Sequence, residues 1–240
     1  MSDCRLFVDS PLQVGRDLVF NQDQGHYLRQ VMRLAVGDSV TLFNGESGEY
    51  EATISQLSKQ HSACHVLDFH PVTRELPIPV HIIQAAARSD RIETALQKGT
   101  ELGAASFQIC SSERTTLKLG DAKLARRLDR WRAIIIEAAE QSGRTCVPDV
   151  FWRPSLRDAQ AHGHSFCLHT TAEKGWPEVR SEITGASAIT FAIGPEGGWS
   201  NRDIEMLETL GITTLKFGLR IMRTETAAPA LLAAVQACID

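Results

Sequence analysis

Two apolar runs late in the chain, Ala188 to Ile193 and Thr213 to Phe217, each end in glycine and polar residues, and a helical pattern follows each. Strand, glycine turn and helix in that order are the units of an open α/β sheet, in which ligands sit beyond the carboxyl ends of the strands. The first turn, Gly194-Pro195-Glu196-Gly197-Gly198, has almost no side-chain bulk at its three glycines, so backbone N–H groups can approach a ligand closely. Ser200, with Asp203 three residues later, is spaced to cap the helix that follows. The second run passes into Gly218-Leu219-Arg220-Ile221-Met222-Arg223-Thr224-Glu225-Thr226. Pro229 is tolerated in the first turn of a helix and not beyond it. The last helix is therefore expected to start near Thr226, leaving Arg220, Arg223 and Glu225 on a loop beside the glycine turn. Two common ligands drop out: there is no G-x-G-x-x-G for a dinucleotide and no Gly-Lys-Ser/Thr for a P-loop.

Upstream, the same α/β pattern begins at Val80–Ala86, a run of strand length. Asp90 followed by Glu93 has capping-box spacing for a helix running to Leu102, and Gly103 closes it. Arg91, Thr94, Lys98 and Glu101 form a polar stripe that is either a solvated face or a wall of the neighbouring pocket. Ser106–Cys110 is another strand, followed by Ser112-Glu113-Arg114 and a long helix with Leu124, Leu128, Trp131, Ile135 and Ala138 on its buried stripe. From Arg114 to Arg132 lie seven basic residues (Arg114, Lys118, Lys123, Arg126, Arg127, Arg130, Arg132) and two acidic ones. In a chain of net charge −4 this is the local basic concentration, suited either to a phosphate backbone or to solvent. Gln141, Ser142 and Arg144 sit where that helix gives way to a loop, as binding residues or as its cap.

Before Pro71–Pro79, a three-proline linker, the pattern differs. Short runs at Arg5–Val8, Ser39–Phe43, Glu49–Ile54 and His61–Phe69, a short helix from His26 to Leu34 and an Asn44-Gly45 turn describe a small β-barrel. Arg5, Arg16, Arg29 and Arg33 make it an RNA-contacting surface or an ordinary solvated one. Two domains are expected, 1–72 and 73–240.

No apolar run approaches the roughly 20 residues of a membrane span, and the N-terminus lacks a signal-peptide core. Six scattered cysteines without a C-x-x-C pair fit reduced thiols in a cytoplasmic protein. His162, His164, Cys167 and His169 are not read as a zinc site, because no second ligand pair with finger-like spacing appears, and no metal is expected.

IGPEGGWS together with FGLRIMRTETAAPA resembles the signature of the knotted SPOUT methyltransferases, and most closely the RsmE family. The likeness extends to His26–Leu34 with Gly37-Asp38, Arg91 with Lys98-Gly99-Thr100-Glu101-Leu102-Gly103, Ser112-Glu113-Arg114, and Glu137–Arg144 with Pro148, so it covers nearly the whole chain. Met222 stands where a leucine is more usual. The resemblance implies an N-terminal PUA-like barrel and a C-terminal SPOUT α/β domain with a trefoil knot. It implies S-adenosylmethionine as methyl donor, N3 of a uridine in 16S ribosomal RNA as target, the assembled small subunit as partner, and a homodimer. It places Thr170, Gly194, Glu196, Gly198, Phe217, Gly218, Leu219, Ile221 and Met222 around the cofactor. Arg223 and Glu225, with Glu196 as another possible base, are the catalytic candidates. Arg5, Arg29, Arg33, Arg91, Arg114, Gln141 and Arg144 are the RNA-contact candidates. A ribose 2′-O methyltransferase and a non-catalytic assembly factor are the rival classes; the intact glycines argue against the second.

Overall fold

The computed structural model describes residues 4–46, 48–115 and 121–239. The chain divides into two compact units, Met1–Glu75 with Ala139–Val147, and Leu76–Ala138 with Pro148–Asp240.

In the first unit, β1 (Arg5–Phe7), β2 (Asp17–Val19), β3 (Ser39–Phe43), β4 (Glu49–Leu57) and β5 (Ser62–His70) form a five-stranded sheet in the order β1-β3-β4-β5-β2. β1 runs parallel to β3 and the other pairs are antiparallel. Val40 and Leu42, Ala52 and Ile54, and Cys64 and Val66 repeat at two-residue spacing and put one face of the sheet into a common core. The helix expected over His26–Leu34 is displaced: α1 spans Gln22–His26, capped by Asn21 and Gln24, and continues as a π-helical turn over Tyr27–Val31. Arg33 follows at φ 55°, the one left-handed non-glycine residue among those described. β2 escapes sequence reading because three residues with one half-buried side chain carry no alternation.

Residues 139–147 belong to this unit through side-chain bonds, which no linear boundary anticipates. The Phe7 N–H donates to Glu140 Oε1 (2.8 Å), Arg5 Nη2 donates to the Arg144 carbonyl (3.0 Å), and Arg74 Nη1 donates to the Gly143 carbonyl (2.9 Å). Arg144 is ion-paired with Glu75. Hydrogen bonds from Arg74, and then from Arg5, hold the Glu49 carboxyl down at about 2.

The second unit contains β6 (Val80–Ala85), α2 (Ser89–Glu101), β7 (Ala104–Cys110), α3 (Asp121–Ser142, shared with the first unit from Ala139), β8 (Asp149–Arg153), β9 (His164–Leu168), α4 (Trp176–Thr184), β10 (Ile189–Ile193), α5 (Asn201–Thr209), β11 (Thr213–Leu215) and α6 (Thr224–Ile239). Its six strands form a sheet in the order β11-β9-β10-β6-β7-β8, every pair parallel. Parallel sheets are covered on both faces and read as continuous apolar runs. β10 is buried at all five positions and β6 at five of six, which is why both stand out in the sequence. β8 is an edge strand without a fully buried residue, so its signal is weak. The capping expected of Asp90 is not made: the N-cap of α2 is Arg88 without a side-chain bond, and Glu93 instead accepts from Ser89 Oγ (3.1 Å).

Candidate active site

β11, β9 and β10 are neighbours and run parallel, so their carboxyl ends share one edge of the sheet. Beyond that edge lies a cleft of about 730 Å³. Its lining includes Thr170 after β9, Gly194, Glu196 and Gly198 after β10, and Phe217, Gly218, Leu219, Ile221, Met222, Arg223 and Glu225 after β11, with Arg91 and Arg114 from elsewhere in the unit. Every cofactor-site and catalytic candidate of the sequence thus reaches one cavity, together with two of the RNA candidates. The signal for their neighbours His169, Trp199, Lys216 and Arg220, which also line it, is only their adjacency to these loops.

The wall after β10 is pinned from several sides. Gly198 takes φ 67°, where an L side chain is strained, and its N–H closes the turn onto the Pro195 carbonyl (2.9 Å). Arg114 Nη1 donates to the Gly197 carbonyl (2.7 Å), and Glu196 Oε1 accepts from the Arg88 N–H (3.2 Å). The cap of α5 forms as expected: Ser200 Oγ accepts from the Asp203 N–H and Asp203 Oδ2 from the Ser200 N–H, both at 3.1 Å. Asp203 Oδ1 also takes the Glu113 N–H (3.1 Å), tying the Ser112–Arg114 segment to the same helix end.

The wall after β11 is more open. Leu219 is 92% and Ile221 83% exposed, so neither side chain contributes to the core. Phe217 meets Trp176 edge-on, ring centroids 5.0 Å apart. Thr224 Oγ1 donates to the Gly194 carbonyl (2.7 Å) and accepts from Gln84 Nε2 (2.8 Å), a contact that no sequence pattern signalled.

The last helix starts two residues earlier than expected, at Thr224, and Pro229 lies inside it. The Ala227 N–H already bonds the Arg223 carbonyl (3.2 Å), so Pro229 forfeits only the next but one bond of the ladder, to the Glu225 carbonyl. Glu225 is thereby moved from a loop to the first turn of α6, where the helix dipole favours negative charge. Its Oε1 is ion-paired with Arg91 Nη1; its Oε2 is buried with no hydrogen-bond partner among the described residues. Arg223, just before the helix, is exposed to the cleft.

The other RNA candidates lie outside this cleft. Arg144 is 4% exposed and paired with Glu75, and Arg5 is paired with Glu49, so the expectation that these two guanidinium groups meet RNA gives way to a role inside the first unit. Arg29 is half-buried and donates to the Ser58 carbonyl (2.6 Å). Arg33 and Gln141 are exposed. On α3, Lys123, Arg126, Arg130 and Arg132 are exposed, and Arg130 bonds Glu93 (2.8 Å); Lys118 falls outside the described residues. The stripe on α2 splits: Arg91 faces the cleft, while Lys98 and Glu101 pair with each other (2.8 Å). The histidines do not converge with Cys167. His162 stacks on His81 (4.5 Å between centroids), His164 is 3.6 Å from Glu182, and His169 bonds Thr171 (3.0 Å). Burial pushes the Cys167 thiol well up.

Comparison with known proteins places this architecture. The model of the RNA methyltransferase domain matches residues 74–236, and that of the RNA methyltransferase PUA domain matches residues 20–67. The chain is 32% identical to ribosomal RNA small subunit methyltransferase E of Bacillus subtilis, covering 85% of this chain and 84% of that one. It is 33% identical to the protein of the same name from Synechocystis, over 90% of this chain and 72% of that one. A Legionella pneumophila protein described as a methyltransferase and solved with its cofactor SAM superposes with a TM-score of 0.92 at 31% identity, over 99% of this chain and 98% of that one. Ribosomal RNA small subunit methyltransferase E of Neisseria gonorrhoeae, bound to S-adenosyl methionine, superposes with a TM-score of 0.90 at 29% identity, over 99% and 98%. With its glycine-walled cleft at the strand ends and a PUA-like first unit, the chain belongs to the ribosomal RNA small subunit methyltransferase E family, the RsmE enzymes that methylate small-subunit ribosomal RNA.

Proposed function

We propose that this enzyme transfers a methyl group from S-adenosylmethionine to N3 of a uridine in 16S ribosomal RNA, within the small ribosomal subunit in the cytoplasm. The observation that carries this reading is the convergence of the glycine turn, the exposed Leu219–Met222 backbone, Arg223 and the Arg91–Glu225 pair on one cleft. The residues suit the donor. Gly198 and Gly218 are left-handed, and a Cβ on either would meet nothing within 4 Å, so the open space belongs to the cleft and not to packing. When bound there, S-adenosylmethionine supplies an electrophilic methyl on a positively charged sulfonium. Thr170, Gly194, Glu196, Gly198, Phe217, Gly218, Leu219, Ile221 and Met222 hold and shield it.

Uridine N3 must lose a proton, which leaves negative charge on the ring carbonyls. Arg223 stabilises that charge from the cleft wall. Glu225 accepts the proton on Oε2, which is buried and has no donor among the described residues, while Arg91 fixes Oε1. Arg114, Arg33, Arg29, Gln141 and the exposed basic face of α3 contact the RNA backbone, which is read by charge and not by sequence. Residues 1–72 act as the RNA-contacting PUA-like domain and 73–240 as the methyltransferase domain. The latter carries the trefoil knot of the SPOUT fold and works as a homodimer, for which exposed Leu219 and Ile221 offer apolar surface.

The test is to incubate the protein with labelled donor and small subunits lacking the modification, and to map the methylated nucleoside. The expected product is 3-methyluridine in 16S RNA. No label overturns the enzyme, and label on a ribose overturns N3 as the target.

A further inference from the structure

Gln84 is almost fully buried, at 1% exposed, on β6, the strand between β10 and β7. It does not line the cleft, yet it is bonded to it. Its Nε2 donates to the Ala85 carbonyl (3.1 Å) and to Thr224 Oγ1 (2.8 Å). The Ala85 carbonyl can only accept, which fixes the amide with its nitrogen on this side. Both amide protons are then engaged, and Thr224 Oγ1 is an acceptor toward Gln84. A hydroxyl has one proton, so that of Thr224 is directed to its other neighbour, the Gly194 carbonyl at 2.7 Å. The chain of bonds therefore has a single direction, from Gln84 through Thr224 to Gly194. It joins the first residue of α6, at the end of the open wall, to the first residue of the glycine turn, at the start of the pinned wall. Gln84 Oε1, meanwhile, is buried without a partner among the described residues, a burden normally avoided in protein interiors. The amide is thus placed for its two donors.

We propose that Gln84 is a positioning residue of the donor site, acting through the Thr224 hydroxyl to hold the two walls of the cleft at one separation. The inference rests on the reading of this cleft as the S-adenosylmethionine site. Its mark is polarity. Gln84→Met removes the amide but leaves the Thr224 proton free to reach Gly194. Gln84→Glu places an acceptor where the donor was, so the Thr224 proton turns toward residue 84 and the Gly194 carbonyl loses it. Reversal is therefore worse than removal, the opposite of what side-chain likeness suggests.

The experiment measures the dissociation constant for S-adenosylmethionine by calorimetry and the KM and kcat of methyl transfer, for wild type, Gln84→Glu, Gln84→Met, Thr224→Val and Thr224→Ser, each checked for folding by its melting temperature. Weakening of about tenfold is expected for Thr224→Val and for Gln84→Glu at about pH 9, where a carboxyl raised by burial ionises, about threefold for Gln84→Met and less for Thr224→Ser, in KM more than in kcat. Lowering the pH restores the Gln84→Glu variant, because a protonated carboxyl donates again. Equal affinities in Gln84→Met and Gln84→Glu overturn the proposal. Should Gln84→Glu fail to fold, wild-type affinity in Thr224→Val overturns it alone. Absence of binding by the wild-type chain overturns the donor-site reading, and this inference with it; binding by wild type with unaltered variants overturns only the inference.

Discussion

Two carboxylates in this molecule are each held by arginine, and they differ in what is left over. Glu49, in the first unit, accepts from Arg74 Nη2 on Oε1 (3.2 Å) and from Arg74 Nη1 on Oε2 (2.9 Å), where Arg5 is also paired. Both oxygens are satisfied, although the group lines a smaller cavity of about 260 Å³ with Thr41, Glu51 and His70. Glu225 has one oxygen on Arg91 and the other buried and unpaired, facing the preferences of a helix N-terminus. A carboxylate whose lone pairs are all engaged by protein donors has only a structural part to play. One kept in a cleft with an idle oxygen retains an acceptor for something that arrives, since such an orphan otherwise costs about 1–3 kcal/mol.

The contrast can be broken by measurement. Arg223→Ala should have the largest effect, a fall in methyl transfer of about 10²–10³-fold with donor affinity held within about a factor of two. Single-turnover rates beside calorimetry would show it, and full activity would remove Arg223 from the chemistry. Glu225→Gln should lower transfer by about 10²-fold while moving the unfolding free energy by less than about 1 kcal/mol, since Arg91 retains access to water. Glu49→Gln should do the reverse: about 2–3 kcal/mol lost in denaturant unfolding, with kcat unchanged. If the two variants lose stability equally, the distinction between the carboxylates collapses.

A finer version uses acid. Because the folded-state value of Glu49 is held at about 2, below the ordinary 4.5, its contribution is complete above the ordinary value and disappears as pH falls through about 2. Stability of the wild type should therefore drop across that window, and Glu49→Gln should flatten the acid limb. The smallest effect is expected for Leu219→Ser: at 92% exposure it should shift thermal stability by no more than about 0.5 kcal/mol, while weakening donor binding.

How much of this was legible beforehand follows burial and locality. β10 announced itself because all five residues are buried, and the α5 cap because Ser200 and Asp203 are three residues apart. The cleft was legible because its walls follow directly from those strands. Gln84 was not, because its partner lies 140 residues away and one buried glutamine in an apolar run carries no periodic signal. Arg5 and Arg144 were misread for the same reason: a positive charge in a sequence does not show that a distant glutamate, Glu49 or Glu75, is already beside it. The start of α6 was misplaced because the proline rule ignores how little a helix loses when the missing bond is among its first.

The return of Ala139–Val147 to the first unit has a consequence for how the chain is made. Synthesis runs from the N-terminus at about 5–20 residues per second. When Glu75 leaves the ribosome, the Phe7 N–H still lacks Glu140 and Glu75 still lacks Arg144. The first unit must wait several seconds, while β6, α2, β7 and most of α3 are translated, before its own last segment exists. The two units are interleaved in time as well as in sequence, and a nascent chain stalled at the proline linker should be incompletely folded and open to protease.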